Sequence, residues 1–406
     1  MRQTTARIRC DSLRDVEPSD HVLWQKVKIR EIGKVVTGMT PPTKHQAYYG
    51  DDYLFVTPSD LDFDSYIVSK TERCISKQGY EKYSNRFIPA MSTMYTCIGS
   101  TIGKIGLCRD TVLTNQQINS IIPNDVHDAK FVYYLMRSQT NEIRALNAGC
   151  AVPIINKGDF ENIDVHLPPL PVQRRIADVL SAYDDLIENN RRRIAILEET
   201  ARRIFEAEIV NGNWECEPVD ALVEVNPEVS KPTCDGIRYI PMSALSTSGM
   251  TVDLSDSEVR AQSTSVRFVN GDVLLARITP CLENGKTAYV NFLAEGEIGC
   301  GSSEFIVLRG RRVSSFFTYC LARLEAFRGI AIKSMIGASG RQRVQLSCFT
   351  DFQIQVPDDA TLRRFDAAVE PMFDQIGVLS RQSASLAAAR DMLLPRLMNN
   401  SFRKEV

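Results

Sequence analysis

Residues 167–210 read LPPLPVQRRIADVLSAYDDLIENNRRRIAILEETARRIFEAEIV, and no other stretch limits the fold so sharply. Ile176, Leu180, Tyr183, Ile187, Asn190, Ile194 and Leu197 follow one another in steps of four and three, the 3.5-residue period of a supercoiled helix seam. Pro168, Pro169 and Pro171 suit the approach to a helix and its first turn, and Asn211, Gly212 and Asn213 suit its end. A helix of this length spans roughly 55 Å, more than a single small domain needs. It therefore predicts a second helix to pair with.

That second helix lies in the same chain. A shift of 189 positions carries Ile176 to Phe365, Leu180 to Val369, Ile187 to Ile376, Leu197 to Leu386 and Ile204 to Leu393, so the seam recurs in register. The flanks recur too: PSDL around Ser59 answers PMSAL around Ser243, and IDVHLPPLPVQRRI answers FQIQVPDDATLRRF. The chain reads as two copies of one unit, globular part first and long helix second. The expected divisions are an N-terminal arm (1–20), a first globular domain (21–166), a long helix (167–210), a second globular domain (211–356) and a second long helix (357–400). Within the globular parts, short alternating segments with glycine turns predict small, largely β domains. One helix is expected through KFVYYLMRSQTNEIRAL and one through SSFFTYCLARLEAF. The class is α+β. Pro371 interrupts the second apolar pattern, with Gly377 and Pro395 beyond it, which predicts a kink or break near Glu370.

Composition narrows the function. The 406 residues carry a net charge of −2, which offers no chain-wide basic footprint for nucleic acid, so any such contact must rest on local patches. No run reaches eighteen apolar residues and the first residues lack a signal-peptide core, so no membrane span is expected. The eleven cysteines are scattered singly, as buried thiols of a reducing cytoplasm would be. Motifs for chemistry are lacking. GSTIGKI is one residue short of a phosphate loop and carries Ile105 where Ser or Thr is required. Asn226, Pro227 and Glu228 do not form the Asn-Pro-Pro-aromatic signature of an amino methyltransferase. His21, His45, His127 and His166 lack ligand spacing, and Asp60, Asp62 and Asp64 read as turn residues. The expectation is a non-enzyme with no metal and no cofactor.

Several loops combine hydrogen-bond donors with little bulk. In the first copy these are Ser100, Thr101 and Lys104, then Gln116 and Gln117, then Lys157. In the second they are Arg277, Thr279 and Lys286, then Ser339, Arg341, Gln342 and Arg343. Hydroxyls and ammonium groups suit phosphates, whereas Gln and Arg present paired donors to adenine and guanine edges. The competing reading of each is a polar, solvated turn.

Together TGMTPPT, FVTPSDL, GSTIGKIG, LPPLPVQRRIADVLSAYDDLIENN, SGRQRV and RDMLLPRLM make residues 24–402 resemble the DNA specificity subunit of a type I restriction-modification system. The resemblance implies two target recognition domains. Their helices pack as an antiparallel coiled coil with pseudo-two-fold symmetry, holding the two readers over separate half-sites. Shortening both helices would then alter only the spacer between half-sites. It further implies double-stranded DNA, two methyltransferase subunits and restriction (translocase and nuclease) subunits as partners. One departure is visible: Val172 replaces the family's acidic residue before Gln173. The alternative, from another class, is a coiled-coil scaffold whose two modules bind a ligand other than DNA.

Overall fold

The computed structural model describes residues 24–145, 153–231, 236–261, 265–338, 340–350 and 352–398. The expected N-terminal arm and Ser339 lie outside them. The chain divides into two units: Met1–Asp185 with Ala387–Val406, and Leu186–Leu386. Each long helix contributes one part to each unit, so the helices do not stand apart from the globular parts.

In the first unit, strand Gln25–Lys28 pairs antiparallel with Asp164–Leu167 and so joins the start of the globular part to its end. Between them lies a five-stranded sheet in the order Gly33–Thr37, Ile118–Pro123, Thr93–Thr96, Ile105–Cys108, Ile67–Val68. A smaller sheet joins Tyr49–Gly50, Arg73–Ile75, Tyr53–Val56 and Leu113–Thr114. Helix Ala129–Ser138 begins where the Asp128 carboxylate accepts from the Phe131 amide, and it buries Phe131 to Met136 without interruption. A helix buried on all sides needs cover on all sides. The sheet supplies part of that cover. Residues 170–185 of the first long helix and residues 387–398 of the second supply the rest, with Ile176, Leu180, Leu394 and Met398 in the same hydrophobic cluster.

The second unit repeats this plan. Glu215–Pro218 pairs antiparallel with Gln353–Val356. One four-stranded sheet runs Val223–Val225, Phe305–Gly310, Val273–Ala276, Thr287–Tyr289, and the other Glu258–Arg260, Ile237–Ile240, Gly299–Gly301, Val266–Phe268. Helix Ser315–Arg323 is capped by the Ser314 hydroxyl. Phe205 of the first long helix meets Phe317 at 5.0 Å and Phe365 of the second long helix at 5.7 Å, both edge to face. Such pairs contribute about 0.5–1.5 kcal/mol each beyond the area they bury.

The long helices are Leu170–Phe205, ending in a π turn at Glu206–Val210, and Asp359–Met398. Their pairing is antiparallel within each unit. In the first unit Asp184 meets Arg390, while Ile176 and Leu180 share a core with Leu394 and Met398. In the second, Asn190 meets Gln382 and Ser383, and Glu208 meets Arg364. Ile176, Leu180, Ile187, Asn190, Phe365, Val369 and Ile376 are buried, and Tyr183, Ile194, Leu197, Leu386 and Leu393 half-buried. The buried stripe is wider than a strict seam, because each helix faces a globular part as well as the other helix. Ala177, Ser181, Asp184, Glu198 and Arg390 are therefore buried as well.

Three expectations are corrected. No break interrupts Asp359–Met398 at Pro371. Pro371 lies on the exposed face with Ala367, one turn earlier, so water reaches the carbonyl its ring leaves unbonded, while Val369, Phe373 and Ile376 anchor the buried side. The helices expected through residues 130–146 and 314–327 are each two. One pair is Ala129–Ser138 and Thr140–Ala145, the other Ser315–Arg323 and Glu325–Lys333. Breaks at equivalent places in the two copies mark a feature of the fold that periodicity could not register.

Candidate nucleic-acid interface

Three loops converge in each copy, the third in the second copy being that of Glu304, and they do so through the same backbone bonds. In the first unit the Cys97 amide donates to Gln117 O at 2.8 Å, the Gly99 amide to Pro153 O at 2.8 Å and the Ile155 amide to Cys97 O at 2.9 Å. In the second, the Arg277 amide donates to Glu304 O at 2.8 Å, the Thr279 amide to Gln342 O at 3.1 Å and the Val344 amide to Arg277 O at 3.0 Å. Position by position, Cys97 matches Arg277, Gly99 matches Thr279, Gln117 matches Glu304, Pro153 matches Gln342 and Ile155 matches Val344. Each is a short two-sided ladder at the end of a central strand, and its main-chain groups are satisfied within the unit. The side chains it displays are free to differ.

They do differ. Bridge partners Ile98 and Ile154 of the first unit correspond to Ile278 and Arg343 of the second. Ile154 is 62% exposed, so one copy presents an aliphatic side chain where the other presents a guanidinium. In the first unit Ser100 is exposed, and the Thr101 hydroxyl is turned inward, donating to Ile98 O at 2.7 Å. Gln116 is exposed, with its Oε1 accepting from the Thr40 hydroxyl at 2.7 Å, which leaves its amide nitrogen outward. Gln117 is half-buried and accepts from Asn115 Nδ2 at 3.3 Å. Lys157 opens a short helix capped by Asn156 and pairs with Glu161 at 3.4 Å. Gly99 and Gly103 have φ of 54° and 91°, which glycine adopts without strain.

The structure gives several of these residues partners of their own. Lys104 was expected to be free for phosphate. Its ammonium instead donates to Pro58 O and Asp62 Oδ1, both at 3.3 Å. Lys286 does the same work in the second unit, donating to Met242 O at 2.7 Å. The PSDL and PMSAL motifs thus form 3₁₀ turns (Pro58–Asp60 and Met242–Ala244) whose carbonyls receive a lysine from a distant loop. An ammonium with internal acceptors is a poor free donor for a ligand. Arg277 is also turned inward, its Nε donating to Val344 O at 3.3 Å, and the Thr279 hydroxyl accepts from the Gln342 amide at 2.8 Å.

Arg343 is not free either. Its Nε lies 3.0 Å from both oxygens of Glu304, and its Nη2 lies 2.6 Å from Oε1. The hydrogen bond from Arg343 holds the Glu304 carboxyl below the ordinary glutamate range, and the same bond raises Arg343. Arg341 is exposed; its amide donates to Ala338 O at 2.9 Å, and its side chain has no hydrogen bond or ion pair among the described residues. Glu304 was not among the expected site residues. Matching residues 115–117 to residues 302–304 would have found it, since Glu304 stands where Gln117 stands.

Known proteins resemble the chain. A family model described as the type I restriction modification DNA specificity domain matches residues 21–199. The specificity subunit of the type I restriction enzyme MjaIX of Methanocaldococcus jannaschii is 26% identical over 419 residues, covering 94% of this chain and 94% of that one. Over nearly its whole length the chain is thus similar to a type I specificity subunit. The HindI specificity subunit of Haemophilus influenzae is 29% identical over 176 residues, which cover 41% of this chain and 38% of that protein. The crystal structure of the S subunit from M. genitalium shares the fold with a TM-score of 0.53 at 16% identity, covering 94% of this chain and 98% of that one.

The start of the first long helix is held from within the first unit. Gln173 is only 2% exposed. Its Oε1 accepts from the Asp128 amide at 3.0 Å, and its Nε2 donates to Pro168 O at 2.9 Å and lies 3.2 Å from His127 Nδ1. Burial lowers the pKa of His127, keeping the ring neutral against this amide. Gln173 therefore has a role inside the first unit, tying the long helix to the cap of Ala129–Ser138. Among the described residues no helix is long and apolar enough to cross a membrane.

Proposed function

We propose that the chain is the sequence-reading subunit of a type I restriction-modification complex, with each globular unit reading one half of a bipartite duplex target through its three converging loops. The observation that carries this is the pair of equivalent backbone ladders displaying different side chains: Ser100, Gln116 and Ile154 in one unit, Arg341 and Arg343 in the other. A fixed frame with variable display is what two readers of unrelated half-sites require. Carboxamides pair with adenine, arginines with guanine, and aliphatic groups with the thymine methyl. Methyl transfer and cleavage belong to methyltransferase and restriction subunits that this chain recruits, and the chain itself supplies no catalytic residue. Those partners also supply much of the positive field, since the chain's net charge is −2. Similarity to type I specificity subunits favours duplex DNA over any other ligand.

Two measurements test this reading. Modified adenines mapped in cells with and without the gene should reveal one bipartite motif that depends on it. Affinity of the assembled complex for that duplex should fall with salt at a log–log slope of about −0.9 per phosphate contacted. A complex that modifies DNA with no bipartite motif, or a flat salt response, defeats the proposal.

A further inference from the structure

Arg343 of the second unit has a geometry that its pairing with Glu304 explains. An arginine has five N–H donors in one plane. The Glu304 carboxylate engages Nε and one edge of Nη2, at 3.0 and 2.6 Å. The Nη1 group and the outer hydrogen of Nη2 remain, and they form the end fork that matches the O6 and N7 of guanine. The Arg343 side chain is 48% exposed against 22% for Glu304, so the carboxylate sits behind and the guanidinium in front. The backbone on either side of the pair is fixed: Arg343 exchanges both amide bonds with Ile336 at 3.0 Å, and the Glu304 carbonyl accepts from Arg277. A carboxylate at a polyanion's surface is repelled unless a cation stands between them, and Arg343 stands there.

We propose that Glu304 and Arg343 together form a guanine-reading element of the second unit, with Arg343 the reader and Glu304 the residue that aims it. This rests on the reading of the second unit as a DNA reader. The freedom an arginine normally loses on binding is here lost in the free protein, so the pair gains selectivity as well as contact. The Arg341 side chain, exposed and with no partner among the described residues, has no comparable constraint and serves as a backbone phosphate contact. The first unit carries Gln117 and Ile154 at the matching positions, so it lacks the element.

The test uses the full-length chain with its methyltransferase subunits, selecting from duplexes randomised in both half-sites. The wild-type complex, Arg343→Lys, Glu304→Gln and Arg341→Ala are compared. Arg343→Lys loses the fork and should reduce preference at one G·C pair roughly 5- to 150-fold. Glu304→Gln should weaken preference at that same pair, by less, because a neutral amide cannot accept at both oxygens. Arg341→Ala should weaken binding evenly across sequences. Intact selection at the other half-site shows each variant to be folded, and Glu304→Asp, which withdraws the charge by one methylene, provides a second arm if the amide variant fails to fold. Effects of Glu304→Gln and Arg343→Lys at different base pairs, an even loss of affinity from both, or an unchanged Glu304→Gln profile overturn the proposal. A wild-type complex that selects no sequence at all instead removes the reading beneath it.

Discussion

Removing Arg390 should damage the chain more than removing its partner Asp184, and the structure says why. Both side chains are 3% exposed or less, and they meet across the two long helices within the first unit. Asp184 also accepts from the Tyr134 hydroxyl at 2.5 Å, and burial together with the Asp184 charge raises that phenol above its ordinary pKa. Arg390 has a second acid: its Nε and Nη2 donate to Asp391 at 2.9 and 3.2 Å, and Arg137 meets the same carboxylate at 3.1 Å. Burial alone would lower Arg390, but the hydrogen bond to Asp391 and the Asp184 charge raise it. In Asp184→Asn, Arg390 keeps Asp391, and the loss is that of a charged hydrogen bond, about 1.5–3 kcal/mol. In Arg390→Met, Asp184 is left as a buried charge with one neutral donor, at a cost of about 3–5 kcal/mol. At about 2–4 °C per kcal/mol for a unit of this size, Arg390→Met should lower Tm by roughly 6–20 °C. Calorimetry at pH 7 reads this directly. The triple change Tyr134→Phe, Asp184→Leu, Arg390→Met removes every polar member that needs the others and should return to within about 2 kcal/mol of wild type. Equal losses for the two single changes, or a triple variant as unstable as Arg390→Met, would refute the reasoning.

Other changes test other parts. Asn190→Leu should raise Tm, since Asn190 is 5% exposed while its acceptors Gln382 and Ser383 reach water or the Leu379 carbonyl; a clear fall would show that the amide contributes more than the apolar volume gained. Lys104→Met should destabilise the first unit by about 1 kcal/mol with base preference in both half-sites unchanged, because its ammonium serves Pro58 and Asp62; an altered half-site with an unchanged melting curve would restore it as a DNA contact. His127 has a lowered folded pKa, so its contribution is present above the unfolded value near 6.5 and is lost as pH falls through the folded value. His127→Gln should accordingly show a smaller drop in Tm between pH 7 and 5 than wild type, and an identical drop would place the acid sensitivity elsewhere.

Legibility differed by kind of feature. The duplication and the two paired helices were readable, because a heptad pattern is local and its recurrence at Phe365, Val369 and Ile376 needs only the chain itself, while the antiparallel sense of the pairing was what the resemblance implied. The loops at residues 100–104, 115–117, 277–286 and 341–343 were readable as polar turns, and each copy does bring its loops together. Which of their side chains remain available was not. Lys104 and Lys286 carry donors suited to a phosphate, and only the fold sets a carbonyl turn 46 and 44 residues away against each. Glu304 carried no motif, yet it holds the arginine that looked most free, 39 residues away.

The sequence by itself determined what depends on near neighbours: helix period, the repeat, and the absence of any recognisable catalytic motif. Tertiary structure alone decided what depends on partners far along the chain. Asp184 and Arg390 sit 206 residues apart on helices that otherwise read as an apolar seam, and Pro371 is harmless only because the fold turns it to water. The physical reason is the same in each case. Side-chain periodicity follows from backbone geometry one turn at a time, whereas the fate of a charge depends on which groups surround it after burial.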